Sequence, residues 1–244
     1  MGMPVSIHVR QPVEPDLLDG AFDWLRFVDA TFSTYRRDSE VSRLDRGELA
    51  ERDARPAVRE VLARCEELRA VTGGFFDVRA TGRLDPSAFV KGWAVDRAAE
   101  LLERGGTRSF YVNAGGDVRL RGGERPWRVG IRHPRRPDRL ACVLDLADGA
   151  VATSGTYERG PHVVDPRTGL PPSGVLSVTV VGPELAVADA YATAAFAMGE
   201  GGPAWTASLE GHDAMTILDG DRVVSTRGFL RLCPNGSPAA SLAA

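Results

Sequence analysis

Between Leu185 and Met198 the chain carries one charged side chain, Asp189, among Ala, Val, Leu, Tyr, Phe and Thr residues. A carboxylate on such a helix is costly when buried, because an unpaired buried charge must shift its pKa or find a cation or hydrogen-bond donors. Thr193 follows four residues later, so its hydroxyl projects from the same helical face. A carboxylate and a hydroxyl so placed can hold a hard cation. The residues alone also admit, and more readily, an ion pair between Asp189 and a lysine or arginine, or a solvated position near the helix start.

Three further stretches carry candidate chemistry. His162 opens HVVDPRTG, in which Asp165-Pro166 starts a turn that Gly169 can finish, with His162 and Val164 on one side of a short extended segment. Histidine is well suited to accept a proton near neutral pH, although a lone histidine more often serves the structure. NAGGD, residues 113–117, lies between two expected strands; its paired glycines let backbone amides approach a ligand closely, and they also make ordinary turns. LDPSAFVKGWAVD, residues 84–96, sets Asp85 and Lys91 on either side of a turn that feeds a helix. A lysine at such a junction meets a phosphate or stays solvated.

The elements that must position these residues follow from periodicity. Apolar residues at helical spacing predict helices from Asp16 to Tyr35, from Pro56 to Thr72, and from about Lys91 to Arg104, the last two ended by paired glycines. After an opening strand within MGMPVSIHVR, most of the sheet is expected between Ser109 and Val181, where short β-branched runs are broken by Gly, Pro and Asp. An alanine-rich helix follows from Glu184 to Met198. A hairpin then joins Ala214–Leu218 to Arg222–Ser225 across Asp219-Gly220-Asp221. Residues 1–233 are expected to form one domain, with 234–244 a flexible tail.

Composition narrows the class. With 43% hydrophobic and 26% charged residues and a net charge of -3, the chain reads as globular, without the basic excess that would make nucleic acid a partner. No stretch approaches the roughly 20 apolar residues of a membrane span, and no secretory signal opens the chain, so a cytoplasmic location without membrane contact is expected. Cys65, Cys142 and Cys233 form no CxxC pair and read as isolated reduced thiols.

Taken in order, these stretches resemble the ApbE family of FAD:protein FMN transferases. The resemblance runs through MGMPVSI, FSTYRRDSEVSRL, TGGFFD, LDPSAFVKGWAVD, NAGGD, TSGTYERGPHVVDPRTG, SVTVVGP and ADAYATA, covering nearly the whole chain. It implies an α/β (α+β) fold, mostly antiparallel sheet packed with helices, and magnesium-dependent transfer of FMN from FAD to a threonine or serine of an acceptor flavoprotein, with AMP released. By matched position it implies magnesium ligands at Asp189, Thr193 and the Ala88 carbonyl. It also implies flavin or adenine contacts at Met1, Tyr35, Phe75, Phe76, Asp77, Asp85, Lys91, His162 and Val164, with His162 and Asp189 serving catalysis. Family members often have MGT where this chain has Met1-Gly2-Met3. The competing readings are a magnesium-dependent FAD pyrophosphatase and a non-catalytic FAD-binding protein.

Overall fold

Helix starts in this chain are set by proline and by side-chain caps. In the computed structural model, which describes residues 2–122, 125–155 and 163–234, strand β1 (Val5–Val9) leads into α1 (Pro15–Phe32) with proline in its first turn. Helix α1 buries Ala21, Leu25, Val28 and Phe32, as the periodicity requires, but Ser33 turns extended, so Tyr35 lies beyond the helix rather than at its end. Short α2 (Glu40–Asp45) was not foreseen; Ser39 caps it by accepting from Ser42 N. Helix α3 (Pro56–Val71) again begins at proline and stops before Gly73 and Gly74, both in the left-handed region.

Helix α4 (Ser87–Arg104) begins before the expected Lys91. Asp85 Oδ1 accepts from Ser87 N at 3.0 Å and the Pro86 carbonyl accepts from Val90 N at 2.9 Å, so the chain is already helical by Ser87. Lys91 is therefore inside the helix, which corrects its placement at a loop-to-helix junction.

The sheet strands are β2 (Phe110–Ala114), β3 (Asp117–Arg121), β6 (Gly149–Gly155), β7 (Val175–Gly182), β8 (Asp213–Leu218) and β9 (Arg222–Ser225). With β1 they form a seven-stranded sheet in the order β1-β2-β3-β6-β7-β8-β9, every neighbouring pair antiparallel. Strands β4 (Trp127–Arg132) and β5 (Leu140–Leu146) make a separate hairpin. Alternation along the strands sends Ala150, Ala152, Val178 and Val180 toward the helices. Val151, Val181, Met215 and Ile217 face the hairpin and α7 (Arg227–Arg231), where they meet Trp127, Leu144 and Phe229. Both faces of the sheet are thus covered.

Helix α5 (Leu185–Ala197) lies between the sheet and α4, and its alanines let it sit close to both. At the crossing, a Cβ on Gly92 would come 2.5 Å from the Ala186 backbone, so only glycine fits there. The short helix α6 (Gly202–Thr206) follows. All three cysteines are buried and free; Cys142 and Cys233, remote in sequence, share the core on the hairpin side of the sheet, where Cys233 Sγ donates to the Phe229 carbonyl at 3.5 Å. Among the described residues no helix is long and apolar enough to cross a membrane.

Candidate active site

Where α4 and α5 meet the ends of β3 and β6, the elements leave a cavity of about 330 Å³, within the roughly 300–1,000 Å³ of small-molecule sites. Its lining includes Tyr35, Phe75, Phe76, Asp77, Asp85, Ala88, Lys91, Val164, Asp189 and Thr193. Residues from five separate stretches of sequence are thereby brought together around one cavity. Met1 and His162 lie outside the described residues. Phe76 contributes little surface, being 2% exposed and held by a hydrogen bond from its N–H to Thr72 Oγ1 at 3.0 Å.

The floor is a buried ion cluster. Asp189 is 2% exposed and Asp117 3%, and both carboxylates reach the ammonium of Lys91. Lys91 Nζ lies 3.2 Å from Asp189 Oδ2, and its contact with Asp117 Oδ2 is closer still. Asp117 is fixed from behind, its Oδ1 accepting from Thr153 N at 2.9 Å. Burial pulls the Lys91 ammonium toward its neutral form, but the Asp189 and Asp117 charges outweigh this and raise its pKa above the ordinary lysine value. The ion pair left open for Asp189 is therefore present, and its partner is the lysine that the resemblance assigned to the cofactor. Counted over these three side chains alone, two carboxylates against one ammonium leave one negative charge in excess.

That excess decides whether a divalent cation fits. Asp189 and Thr193 share one face of α5 and both line the cavity, and Thr193 Oγ1 exchanges a hydrogen bond with Ser154 Oγ at 3.2 Å. Ala88, in the first turn of α4, lines the same wall. Carboxylate, hydroxyl and carbonyl oxygens are the donors a hard cation prefers. Among the described residues no group of three or more His, Cys, Asp or Glu gathers into a metal cage. A sparse set suits magnesium, which usually takes one or two carboxylates plus substrate phosphates.

Helix α5 is held in place by a residue far from it in sequence. Asp96, on α4, accepts from Leu185 N at 3.0 Å and Ala186 N at 2.9 Å, capping α5 at its first turn. Burial pushes the Asp96 carboxyl up to about 6 against these two hydrogen bonds and against Arg119, whose Nε lies 3.5 Å away. Neither Asp96 nor Asp117 was singled out from sequence. Asp117 ends the NAGGD stretch, whose two glycines are both in the left-handed region and turn β2 into β3.

The opposite wall is more exposed. Tyr35 is 91% exposed at the mouth. The Arg167 guanidinium stacks 4.0 Å over the Phe75 ring and donates to the Gly73 carbonyl at 3.3 Å, tying the DPRTG turn to the TGGFFD turn. The DPRTG turn forms as its residues demand, with Gly169 N donating to the Asp165 carbonyl at 2.8 Å and Gly169 at φ 71°.

The antiparallel sheet covered by helices is a fold shared with solved ApbE proteins. The flavin transferase ApbE of Vibrio cholerae matches with a TM-score of 0.82 at 26% identity, over 95% of this chain and 96% of that one. The ApbE protein of Thermotoga maritima shares the fold with a TM-score of 0.82 at 23% identity, over 96% and 97% of the two chains.

The chain belongs to the ApbE family, whose model matches residues 1–82 and 78–216. Among named relatives, an FAD:protein FMN transferase of Rhodobacter capsulatus is 37% identical over 171 residues, 64% of this chain and 33% of that protein. One of Treponema pallidum is 34% identical over 205 residues, 71% of this chain and 57% of its own length. The chain thus spans between about a third and somewhat over half of these relatives.

Proposed function

We propose that this protein transfers FMN from FAD to a threonine or serine hydroxyl of an acceptor flavoprotein and releases AMP, with magnesium as the required ion. The observation that carries the reading is that Asp189 and Thr193, on one face of α5, both line the cavity, with a second carboxylate, Asp117, on the lysine that Asp189 also meets. Asp189, Thr193 and the Ala88 carbonyl would hold the ion, and a bound magnesium supplies charge stabilisation on the diphosphate oxygens.

The remaining roles belong to the chain. Tyr35 and Phe75 offer aromatic faces at the mouth against which a flavin or adenine ring can pack. Asp77, Asp85 and Val164 line the same space. In the reaction the acceptor oxygen forms a bond to the FMN phosphorus as the bond from that phosphorus to the AMP oxygen breaks. His162, which directly precedes the cavity-lining Val163 and Val164, would take the hydroxyl proton. Such phosphoryl chemistry asks mainly for positioning and electrostatic stabilisation.

The test is mass spectrometry of a threonine-containing acceptor peptide after incubation with the protein, FAD and Mg²⁺. Covalent FMN on the peptide is the expected result. AMP and free FMN without peptide modification would replace transfer with hydrolysis, and FAD recovered intact would leave a carrier. Asp189→Ala is expected to lower transfer by roughly a hundredfold or more, and His162→Ala to slow transfer more than it weakens FAD binding.

A further inference from the structure

Lys91 is shared unequally between its two carboxylates. Asp117 is the closer partner, and it is itself pinned by Thr153 N at 2.9 Å. Asp189 stands 3.2 Å from the same ammonium and also faces the cavity. An ammonium on Asp189 competes with any cation that Asp189 is to hold. Removing the lysine altogether would take from both buried carboxylates the ammonium they share. A fixed second carboxylate resolves the conflict, because it keeps the ammonium in the cluster while Asp189 turns to another cation.

We infer that Asp117 is a positioning residue that parks Lys91, so that Asp189 can exchange its ammonium partner for a divalent cation. This rests on reading Asp189 as a cation ligand. Asp117 also adds a negative charge beside Asp189. Loss of that charge leaves the Lys91 ammonium to Asp189 and makes the surroundings less negative, which lowers cation affinity on both counts.

The experiment titrates the full chain with Mn²⁺ in the presence of ADP, followed by electron paramagnetic resonance, for wild type, Asp189→Asn, Asp117→Asn and the double variant Asp117→Asn/Lys91→Met. Asn at 117 keeps an oxygen for Thr153 N and removes only the charge. Asp117→Asn is expected to weaken Mn²⁺ binding about tenfold, and the double variant to recover to within about threefold of wild type, because the competing ammonium is gone. A purely structural role for Asp117 predicts no such recovery. Wild-type affinity in Asp117→Asn, or a double variant as weak as the single, overturns the inference while the cation reading stands. Equal binding by wild type and Asp189→Asn removes the cation reading and the inference with it. A crystal structure of the wild type with Mn²⁺ gives an answer independent of variant folding: Lys91 Nζ is expected to remain on Asp117 and leave Asp189. An ammonium that leaves Asp117 instead overturns the proposal.

Discussion

The two walls of the cavity are built on opposite physical plans. The inner wall, where α4 crosses α5, holds charges almost wholly out of water and fixes each one with a partner from another element. The outer wall, from Tyr35 through Phe75 to Arg167, keeps rings and a guanidinium near solvent, ordered among the described residues by the stacking of Arg167 on Phe75 and its long hydrogen bond to Gly73. Charges that must be held at a fixed separation require a rigid setting, whereas a planar ligand needs only faces to slide against. The difference predicts that inner-wall substitutions cost stability and outer-wall substitutions cost binding.

Lys91→Met is the severest test of that division. It takes the shared ammonium from two buried carboxylates of the inner wall, and should lower unfolding free energy by about 3–5 kcal/mol in urea titrations. A loss below about 1 kcal/mol, the scale of a solvent-exposed pair, would mean that water already reaches the cluster. Gly92→Ala comes next. Its new methyl meets Ala186 backbone rather than a flexible side chain, so a loss of about 1–3 kcal/mol is expected despite the better helix propensity of alanine.

Asp96→Ala removes the cap on α5 and should cost about 1–2 kcal/mol. Asp96→Asn separates cap from charge. Burial raises the Asp96 carboxyl from 3.8 to about 6, so the native chain holds this proton more tightly than the unfolded one. Its stabilising contribution is complete below the unfolded value and is lost as pH rises through about 6. The stability of wild type relative to Asp96→Asn should therefore increase between pH 7 and pH 5 in paired denaturation curves; a flat difference would show the carboxyl titrating normally.

The outer wall should give the smallest changes in folding. Tyr35→Ala and Arg167→Ala are each expected to alter stability by less than about 0.5 kcal/mol while weakening FAD binding roughly three- to tenfold in fluorescence titrations. A drop in melting temperature to match the inner-wall variants would erase the contrast between the walls.

Much of this plan was readable from the residues, and the gaps have physical causes. The long helices and the sheet region declared themselves by period, and prolines or paired glycines marked several ends to within a few residues. Asp189 stood out because one charge among apolar residues is conspicuous, and Thr193 followed from helical geometry. Lys91 was placed at the helix edge because the Asp85 cap and the Pro86 carbonyl that start α4 sooner are local contacts without a period. Asp96 and Asp117 were missed because their partners lie far off in sequence, at Leu185 and Ala186 and at Lys91 and Thr153. Acidic residues are abundant enough in this chain that spacing alone does not select these two.

The cap on α5 also bears on the order in which the molecule assembles. Asp96 reaches amides 89 and 90 residues further along the chain, across nearly all of the intervening sheet. Contacts of such separation form late, since closing the loop between them precedes any gain. The pocket's inner wall therefore draws on both halves of the chain, and a nascent chain halted before Leu185 would lack both Asp189 and Thr193 and leave the cavity without one side.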